Sequence, residues 1–145
     1  MKPHAVAKWR GSSRAGEGTI STLSGVFDNS IFTEGSAAMA VACTNPSEIL
    51  AAAQAACITL MVAKELGKEK IIADEIETSS EIVLAPIEET WHIPRINVTV
   101  KAYLPEMDGR KFQALVDRAK AACPISRSLK SKVTVKGIVE TPVGV

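Results

Sequence analysis

The chain has 145 residues, of which 46% are hydrophobic and 23% are charged, and its formal net charge is +1. This balance predicts a single globular domain over residues 1–145 and argues against a disordered or membrane-embedded chain. A near-neutral charge, with no strip of Lys and Arg interleaved with aromatic residues, argues against nucleic-acid binding. The N-terminal segment has no apolar stretch typical of a secretory signal, so we expect a cytoplasmic protein without a membrane partner.

The N-terminal part is predicted to begin with a β-hairpin. Residues 4–9 and 18–23 carry β-favouring side chains on either side of a glycine-rich turn at residues 11–16. Residues 27–42 are less periodic, and no regular element is predicted there.

A long helix is predicted from Pro46 to Leu66. Asn45 is a favoured N-cap, Pro46 suits the first helical position, and Gly67 is expected to end the helix. Apolar residues at three- and four-residue spacing predict its buried face: Ile49, Leu50, Ala53, Cys57, Leu60 and Met61. The helix is rich in Ala on several sides, so we expect it to be central and largely buried.

Two strands, a second helix and a last strand are predicted after the long helix. Residues 71–84 and 96–102 alternate between apolar and polar side chains. Asp108 is a candidate N-cap for a helix that ends before Pro124 and has an apolar side of Phe112, Leu115, Val116 and Ala119. Valines at 133, 135 and 139 mark the last strand. This order predicts the α+β class and not a doubly wound α/β sheet.

The three cysteines point to thiol chemistry rather than to a structural disulfide framework. Cys57 would lie roughly 18 Å along the helix from Cys43. The Cα atoms of a disulfide are within about 7 Å of each other. Cys123 is therefore the plausible intramolecular partner of Cys57, and Cys43 is interpreted as a packing residue or an incidental thiol.

Cys123 is followed by Pro124, a pair that predicts a helix start capped by the thiol. Backbone N–H groups of Ser126 or Arg127 would then favour a thiolate at Cys123. Cys57 lies in the middle of a helix and would need a cation from another element. The candidates, which spacing does not rank, are Arg10, Arg14 and Arg127.

Each of these residues also has a structural interpretation. A buried cysteine on an apolar helix face is ordinarily a small hydrophobe. Glu48 occupies a capping-box position. His4 and His92 lie on predicted strands, and neither is near a cysteine at a metal-ligand spacing, so no metal site is predicted.

Two cysteine motifs resemble those of the OsmC/Ohr family. Thr44-Asn45-Pro46 followed by Ala-Ala-Ala-Gln-Ala-Ala-Cys at residues 51–57 resembles the family's TNPEEL…AAxxAAC helix. Ala-Lys-Ala-Ala-Cys-Pro-Ile-Ser at residues 119–126 resembles its second motif, KAxCPxS. Residues 18–25 resemble the N-terminal strand of the OsmC branch. The resemblance covers nearly the whole chain in the expected order.

The resemblance implies an OsmC-like α+β fold with antiparallel sheets wrapped around long central helices in an intertwined homodimer. It also implies a thiol-dependent peroxidase that reduces alkyl or lipid hydroperoxides to alcohols. By this resemblance, Cys57 attacks the peroxide and becomes a sulfenic acid, and Cys123 resolves it as a disulfide. An external dithiol reductant of the lipoyl type would restore the enzyme, and no cofactor is implied.

The chain departs from the family pattern at two charged positions. Ser47 stands where family members usually have Glu, and Glu48 follows one residue later, turned by about 100° around the helix. Residues 31–35 lack the arginine of the OsmC branch, and Arg14 is taken as its substitute. Glu48 and Arg14 are thus the predicted activating pair. Without such activation, the alternative function is a redox-sensing or small-molecule-binding dimer with no peroxidase activity.

Overall fold

The computed structural model describes residues 1–34 and 42–141. The chain forms two compact units, Met1–Ile49 and Leu50–Val145, and each is described by itself. The prediction of a single domain stays a prediction. The described elements in chain order are β1 (Ala5–Arg10), β2 (Glu17–Thr22), β3 (Ser30–Phe32), α1 (Pro46–Lys68), β4 (Glu75–Ile87), β5 (Thr90–Tyr103), α2 (Gly109–Ala122), α3 (Pro124–Ser128) and β6 (Lys132–Glu140).

The first unit contains an antiparallel sheet in the order β1-β2-β3. The predicted hairpin is confirmed as β1 and β2. The short strand β3 was missed because three residues are too few to show an alternating pattern. The ring of Phe32 lies so close to Gly18 that a Cβ atom there would be 2.6 Å from it. Part of the segment predicted to be irregular, residues 35–41, lies outside the described residues.

Helix α1 starts where the sequence predicts and ends later than expected. The Glu48 N–H donates to Asn45 Oδ1 at 2.9 Å, which confirms Asn45 as the cap. The predicted end at Gly67 is wrong, since the helix continues to Lys68. The left-handed residue that ends it is Lys70, with φ of 58°, and the Ile71 N–H returns to the Leu66 carbonyl.

The buried face of α1 differs from the predicted stripe. Within the chain, α1 buries Gln54, Ile58, Val62, Glu65 and Leu66. Leu60, a member of the predicted stripe, is 61% exposed. The prediction was wrong because an Ala-rich helix is apolar on several sides, so hydrophobicity alone does not select one face. The expectation of a largely buried helix is also wrong for the single chain.

The second unit contains a sheet in the order β4-β5-β6. Strands β4 and β5 are antiparallel, whereas β5 and β6 are parallel, so the expectation of purely antiparallel sheets is wrong. A parallel pair needs a long crossover, and here α2 and α3 form it. Strand β4 starts at Glu75 and not at the predicted residue 71. The hairpin β4–β5 extends further at its turn than predicted, because Pro86 and Pro94 interrupt the alternating pattern that the prediction used.

Helix α2 packs on this sheet through the apolar side that the sequence predicts. Asp108 caps it, accepting a hydrogen bond from the Lys111 N–H at 3.4 Å. Its predicted apolar side is fully buried: Phe112, Leu115, Val116 and Ala119. A Cβ atom at Gly137 of β6 would lie 3.0 Å from the Phe112 ring, so the helix approaches the strand closely at that glycine. The α+β class is confirmed.

Among the described residues, one helix is long and apolar enough to cross a membrane by length and composition. That helix is α1, with a mean hydropathy of 1.6 in its most apolar window. Core helices of soluble proteins meet the same criteria, so this property carries little weight by itself.

Candidate active site

Cys123 forms the junction between α2 and α3. Its backbone is extended (φ −71°, ψ 115°), as expected for a residue that precedes proline, and Pro124 opens α3. The Ser126 N–H donates to the Cys123 sulfur at 3.4 Å. The predicted thiol cap with a Ser126 donor is thus confirmed.

Cys57 lies next to Cys123, although Cys123 is 66 residues further along the chain. The Cys57 thiol donates a hydrogen bond to the Cys123 sulfur. All three cysteines of the chain are free, with Cys123 buried and Cys57 partly buried. The two thiols that the sequence pairs therefore lie in contact in their reduced form.

The two sulfurs have opposite tendencies to ionise. Burial is the main reason that the pKa of Cys57 is raised, and the hydrogen bond that it donates to Cys123 adds to this effect. Burial also opposes ionisation of Cys123, but hydrogen bonds from Cys57, from Ser126 and from the Ile125 N–H outweigh it, so the pKa of Cys123 is lowered. The more acidic thiol of the pair is Cys123.

Gln54 is the residue of this site that the sequence did not predict to be functional. It lies one turn before Cys57 on α1 and is fully buried. Its Nε2 donates to Ser126 Oγ at 2.6 Å, and Ser126 also donates through its side chain to the Cys123 sulfur. A usable signal existed, since Gln54 is a polar residue three positions from a cysteine within an alanine run.

The second half of the Gln54 amide, the Oε1 atom, has no hydrogen-bond partner in the part of the chain that the structure describes. Among the described residues, Gln54 Oε1 and Ser80 Oγ are the buried side-chain oxygen or nitrogen atoms without a hydrogen bond. Leaving such a group unpaired costs about 1–3 kcal/mol. A carbonyl oxygen held in this way is suited to accept a hydrogen bond from a group that visits the site.

An ion-pair network joins the C-terminal half of α1 to α2. Glu65, whose side chain is 7% exposed, accepts from Lys68 and from Arg118 Nε at 3.1 Å. Glu69 accepts from Arg118 Nη2 at 3.3 Å and from Lys111 Nζ at 2.8 Å. Because α1 carries Cys57 and α2 leads directly to Cys123, this network helps to hold the two cysteine-bearing helices together.

Of the other residues predicted for the site, Arg127 lies on α3 in the second unit, and the rest lie in the first unit, Met1–Ile49. Arg14 is exposed in the turn between β1 and β2. Glu48 lies in the first turn of α1, where its Oε1 accepts from Thr44 Oγ1 at 3.3 Å. Cys43 is partly buried. Their roles stay predictions, as does the absence of a metal. Among residues 1–34 and 42–141, no group of three His, Cys, Asp or Glu side chains is placed to hold a metal ion.

The family model for OsmC-like proteins matches residues 38–137, a stretch that includes both cysteines of the site. The chain belongs to the OsmC-like family. Relatives support this assignment at the level of sequence. The peroxiredoxin OsmC of Escherichia coli (strain K12) is 30% identical over 129 residues, which is 89% of this chain and 90% of that protein. The organic hydroperoxide resistance protein OhrB of Bacillus subtilis (strain 168) is 29% identical over 119 residues, which is 82% of this chain and 86% of that protein.

Solved structures agree with the fold of this OsmC-like protein. The crystal structure of Bacillus subtilis OhrB matches with a TM-score of 0.68 at 28% identity, over 94% of this chain and 98% of that one. An OsmC-like protein from Vibrio cholerae matches with a TM-score of 0.80 at 13% identity, over 95% of this chain and 99% of that one. The predicted family and OsmC-like fold are thus confirmed.

Proposed function

We propose that this OsmC-like protein is a thiol-dependent peroxidase that reduces organic hydroperoxides to alcohols. The observation that carries the proposal is the hydrogen bond between the Cys57 and Cys123 thiols. Two thiols in contact can give up two electrons and form a disulfide, which is the oxidation that balances reduction of one peroxide bond. Relatives named peroxiredoxin OsmC and organic hydroperoxide resistance protein support this choice of substrate.

Cys57 is the proposed attacking residue because a peroxide must reach the sulfur directly. Cys123 is 0% exposed, whereas Cys57 is partly exposed. The Cys57 proton passes along the hydrogen bond to the thiolate form of Cys123, which becomes the thiol. The Cys57 thiolate then attacks the terminal oxygen of ROOH, the O–O bond breaks, and the alkoxide takes up a proton from solvent and leaves as the alcohol.

Cys123 completes the cycle by resolving the sulfenic acid at Cys57. An S–S bond forms, the S–O bond breaks, and the thiol hydrogen leaves with the hydroxyl group as water. The disulfide is returned to two thiols by an external dithiol, proposed to be of the lipoyl type, which becomes a disulfide itself. No cofactor takes part in this scheme.

The surroundings of Cys57 favour hydroperoxides with carbon chains over hydrogen peroxide. Cys57 packs against the buried core, Met61 lies one turn further along α1, and the Ile125 N–H donates to the Cys57 sulfur. Each CH₂ group that such surroundings bury is worth about 0.8 kcal/mol. Alkyl or lipid hydroperoxides are therefore the proposed substrates.

The test is consumption of cumene hydroperoxide with a dithiol reductant. We expect Cys57→Ser to reduce turnover by at least about a thousandfold, because a hydroxyl does not replace a thiolate as nucleophile. Cys43→Ser is the matched control and should keep the wild-type rate. Wild-type turnover no faster than that of Cys57→Ser would end the proposal.

One observation favours a second candidate function. The pKa of Cys57 is raised mainly by burial, which is the opposite of what a peroxide-attacking thiol needs. A redox-sensing or small-molecule-binding dimer without peroxidase activity would tolerate such a thiol. Turnover indistinguishable from background, together with a Cys57 thiol that titrates above its ordinary value in the intact protein, would favour this candidate.

The homodimer and the cytoplasmic location are also proposed. Helix α1 has 23 residues, and only five of them are buried within the chain. A second copy of the chain is the proposed cover for the remaining apolar surface, in line with the intertwined dimer that the resemblance implies.

A further inference from the structure

Gln54 contacts the surroundings of both cysteines of the site. It is fully buried on α1, three residues before Cys57, and residues at this spacing are neighbours on a helix. Through Ser126 it also reaches Cys123, since Gln54 Nε2 lies 2.6 Å from Ser126 Oγ. One amide thus lies next to one cysteine and is linked by hydrogen bonds to the other.

The direction of these hydrogen bonds follows from the hydrogens available. A serine hydroxyl has one hydrogen to donate. Ser126 donates it to the Cys123 sulfur, so its oxygen accepts the hydrogen bond from Gln54. This fixes the Gln54 amide with Nε2 towards Ser126 and leaves Oε1 buried and without a hydrogen-bond partner among residues 1–34 and 42–141.

We propose that Gln54 is a positioning residue for both sulfurs. Its Nε2 holds the Ser126 hydroxyl in the direction that donates to Cys123, and its Oε1 accepts the O–H of the sulfenic acid formed on Cys57. The second half of this inference rests on the proposed peroxidase function, whereas the first half does not.

The chemical consequence concerns the step in which the disulfide forms. In that step Cys57–S–OH and Cys123–SH become Cys57–S–S–Cys123 and water. The Cys57 sulfur is reduced, the Cys123 sulfur is oxidised, and the S–O bond breaks as the S–S bond forms. Stabilising the Cys123 thiolate and holding the leaving oxygen in one orientation both speed this step relative to further oxidation of Cys57.

The first test measures the Cys123 thiolate without any peroxide. In a protein carrying Cys43→Ser and Cys57→Ser, Cys123 is the remaining thiol, and its ionisation is followed by the ultraviolet absorbance of the thiolate against pH. Gln54→Met keeps the size of the side chain and removes the N–H donor. We expect the thiolate population at neutral pH to fall roughly threefold.

Two further variants show whether Gln54 acts through Ser126. Ser126→Ala should lower the thiolate population at least as much as Gln54→Met, and adding Gln54→Met to Ser126→Ala should have no further effect. Gln54→Glu is isosteric and gives the Ser126 hydroxyl an acceptor to turn towards, so it should lower the population more than Gln54→Met. Gln113→Met, the same change on α2 at a glutamine bonded to β6, is the matched control.

The second test uses the protein with Cys57 and Cys123 intact and one equivalent of cumene hydroperoxide. Mass spectrometry then gives the ratio of sulfinic acid at Cys57 to disulfide, and we expect Gln54→Met to raise this ratio about threefold.

A wild-type protein that does not react with the hydroperoxide would overturn the proposed function and the role of Oε1, while the titration still decides the role of Nε2. A Cys123 titration unchanged by both Gln54→Met and Gln54→Glu, or a Gln54→Met effect that persists in Ser126→Ala, would overturn the link to Cys123. An unchanged sulfinic acid ratio would overturn the role of Oε1.

Discussion

At the scale of the residue, hydrogen-bond donors make the pKa values of Cys57 and Cys123 differ. Cys123 receives hydrogen bonds from a neighbouring thiol, a hydroxyl and backbone N–H groups at the start of α3. Cys57 donates a hydrogen bond to Cys123. Among the described residues, the positive charge that favours ionisation of Cys57 is that of Lys64, and its effect on the Cys57 pKa is the smallest of those that act on it. A peroxide-attacking Cys57 therefore requires a stronger cation, and Arg14 is the predicted source.

We expect Arg14→Ala to slow the reaction of Cys57 with cumene hydroperoxide by at least about tenfold, since a guanidinium stabilises both the thiolate and the charge that develops on oxygen. The rate is measured as sulfenic acid trapping in a protein with Cys123→Ser, so that resolution does not interfere. Lys8→Ala, at an exposed position of the preceding strand, is the control for loss of one positive charge. Equal rates for wild type and Arg14→Ala would remove Arg14 from the site.

At the scale of the element, the ion-pair network between α1 and α2 makes stability depend on acidity. Hydrogen bonds from Lys68 and Arg118 hold the pKa of Glu65 below its usual 4.5, and Lys111 does the same for Glu69. A lowered folded-state pKa contributes stability that is fully present above about 4.5 and is lost as the pH falls through the folded-state value.

Glu65→Gln should therefore lower the thermal unfolding midpoint at pH 7, and its difference from wild type should shrink as the solution is made more acidic than pH 4.5. Thermal unfolding followed by circular dichroism at several pH values measures this difference. The control is Glu77→Gln, which makes the same change at an exposed position of β4. A difference that is constant from neutral to acidic pH would show that the ion pairs do not set the stability of this helix pair.

At the scale of the whole molecule, the exposed apolar surface of α1 is the feature that a single chain does not explain. Its most apolar window has a mean hydropathy of 1.6, and 28% of that window is buried. An apolar helix left on a protein surface is an association site or an aggregation hazard. The proposed homodimer would bury it.

We expect sedimentation to give twice the chain mass of 15.4 kDa. Leu60→Glu places a charge on the exposed face of α1 and should weaken dimerisation by at least about tenfold, because an unpaired charge in an apolar interface is costly. Ala114→Glu, at an exposed position on α2, is the control. A wild-type protein that sediments as a monomer would exclude the dimer.

Elements with strong local signals were predicted well. Asn45, Asp108 and Pro124 mark helix starts that the structure confirms, and the apolar side of α2 is correct at every predicted residue. The prediction failed for the buried face of α1. Ala is too small to favour burial of one side. The buried Gln54 and Glu65 form hydrogen bonds with residues far along the chain, Gln54 Nε2 with Ser126 and Glu65 Oε2 with Arg118.

The sequence by itself determined the family, the helix starts and the two cysteines that could meet. These follow from local chemistry, since caps, turns and motifs are set by residues a few positions apart. Tertiary structure decided which thiol is more acidic, that Gln54 lies beside the sulfurs, and that Arg118 ties α1 to α2. These properties depend on burial and on hydrogen bonds between residues tens of positions apart. Local spacing places Gln54 next to Cys57 on the helix, but it does not pair Gln54 with Ser126.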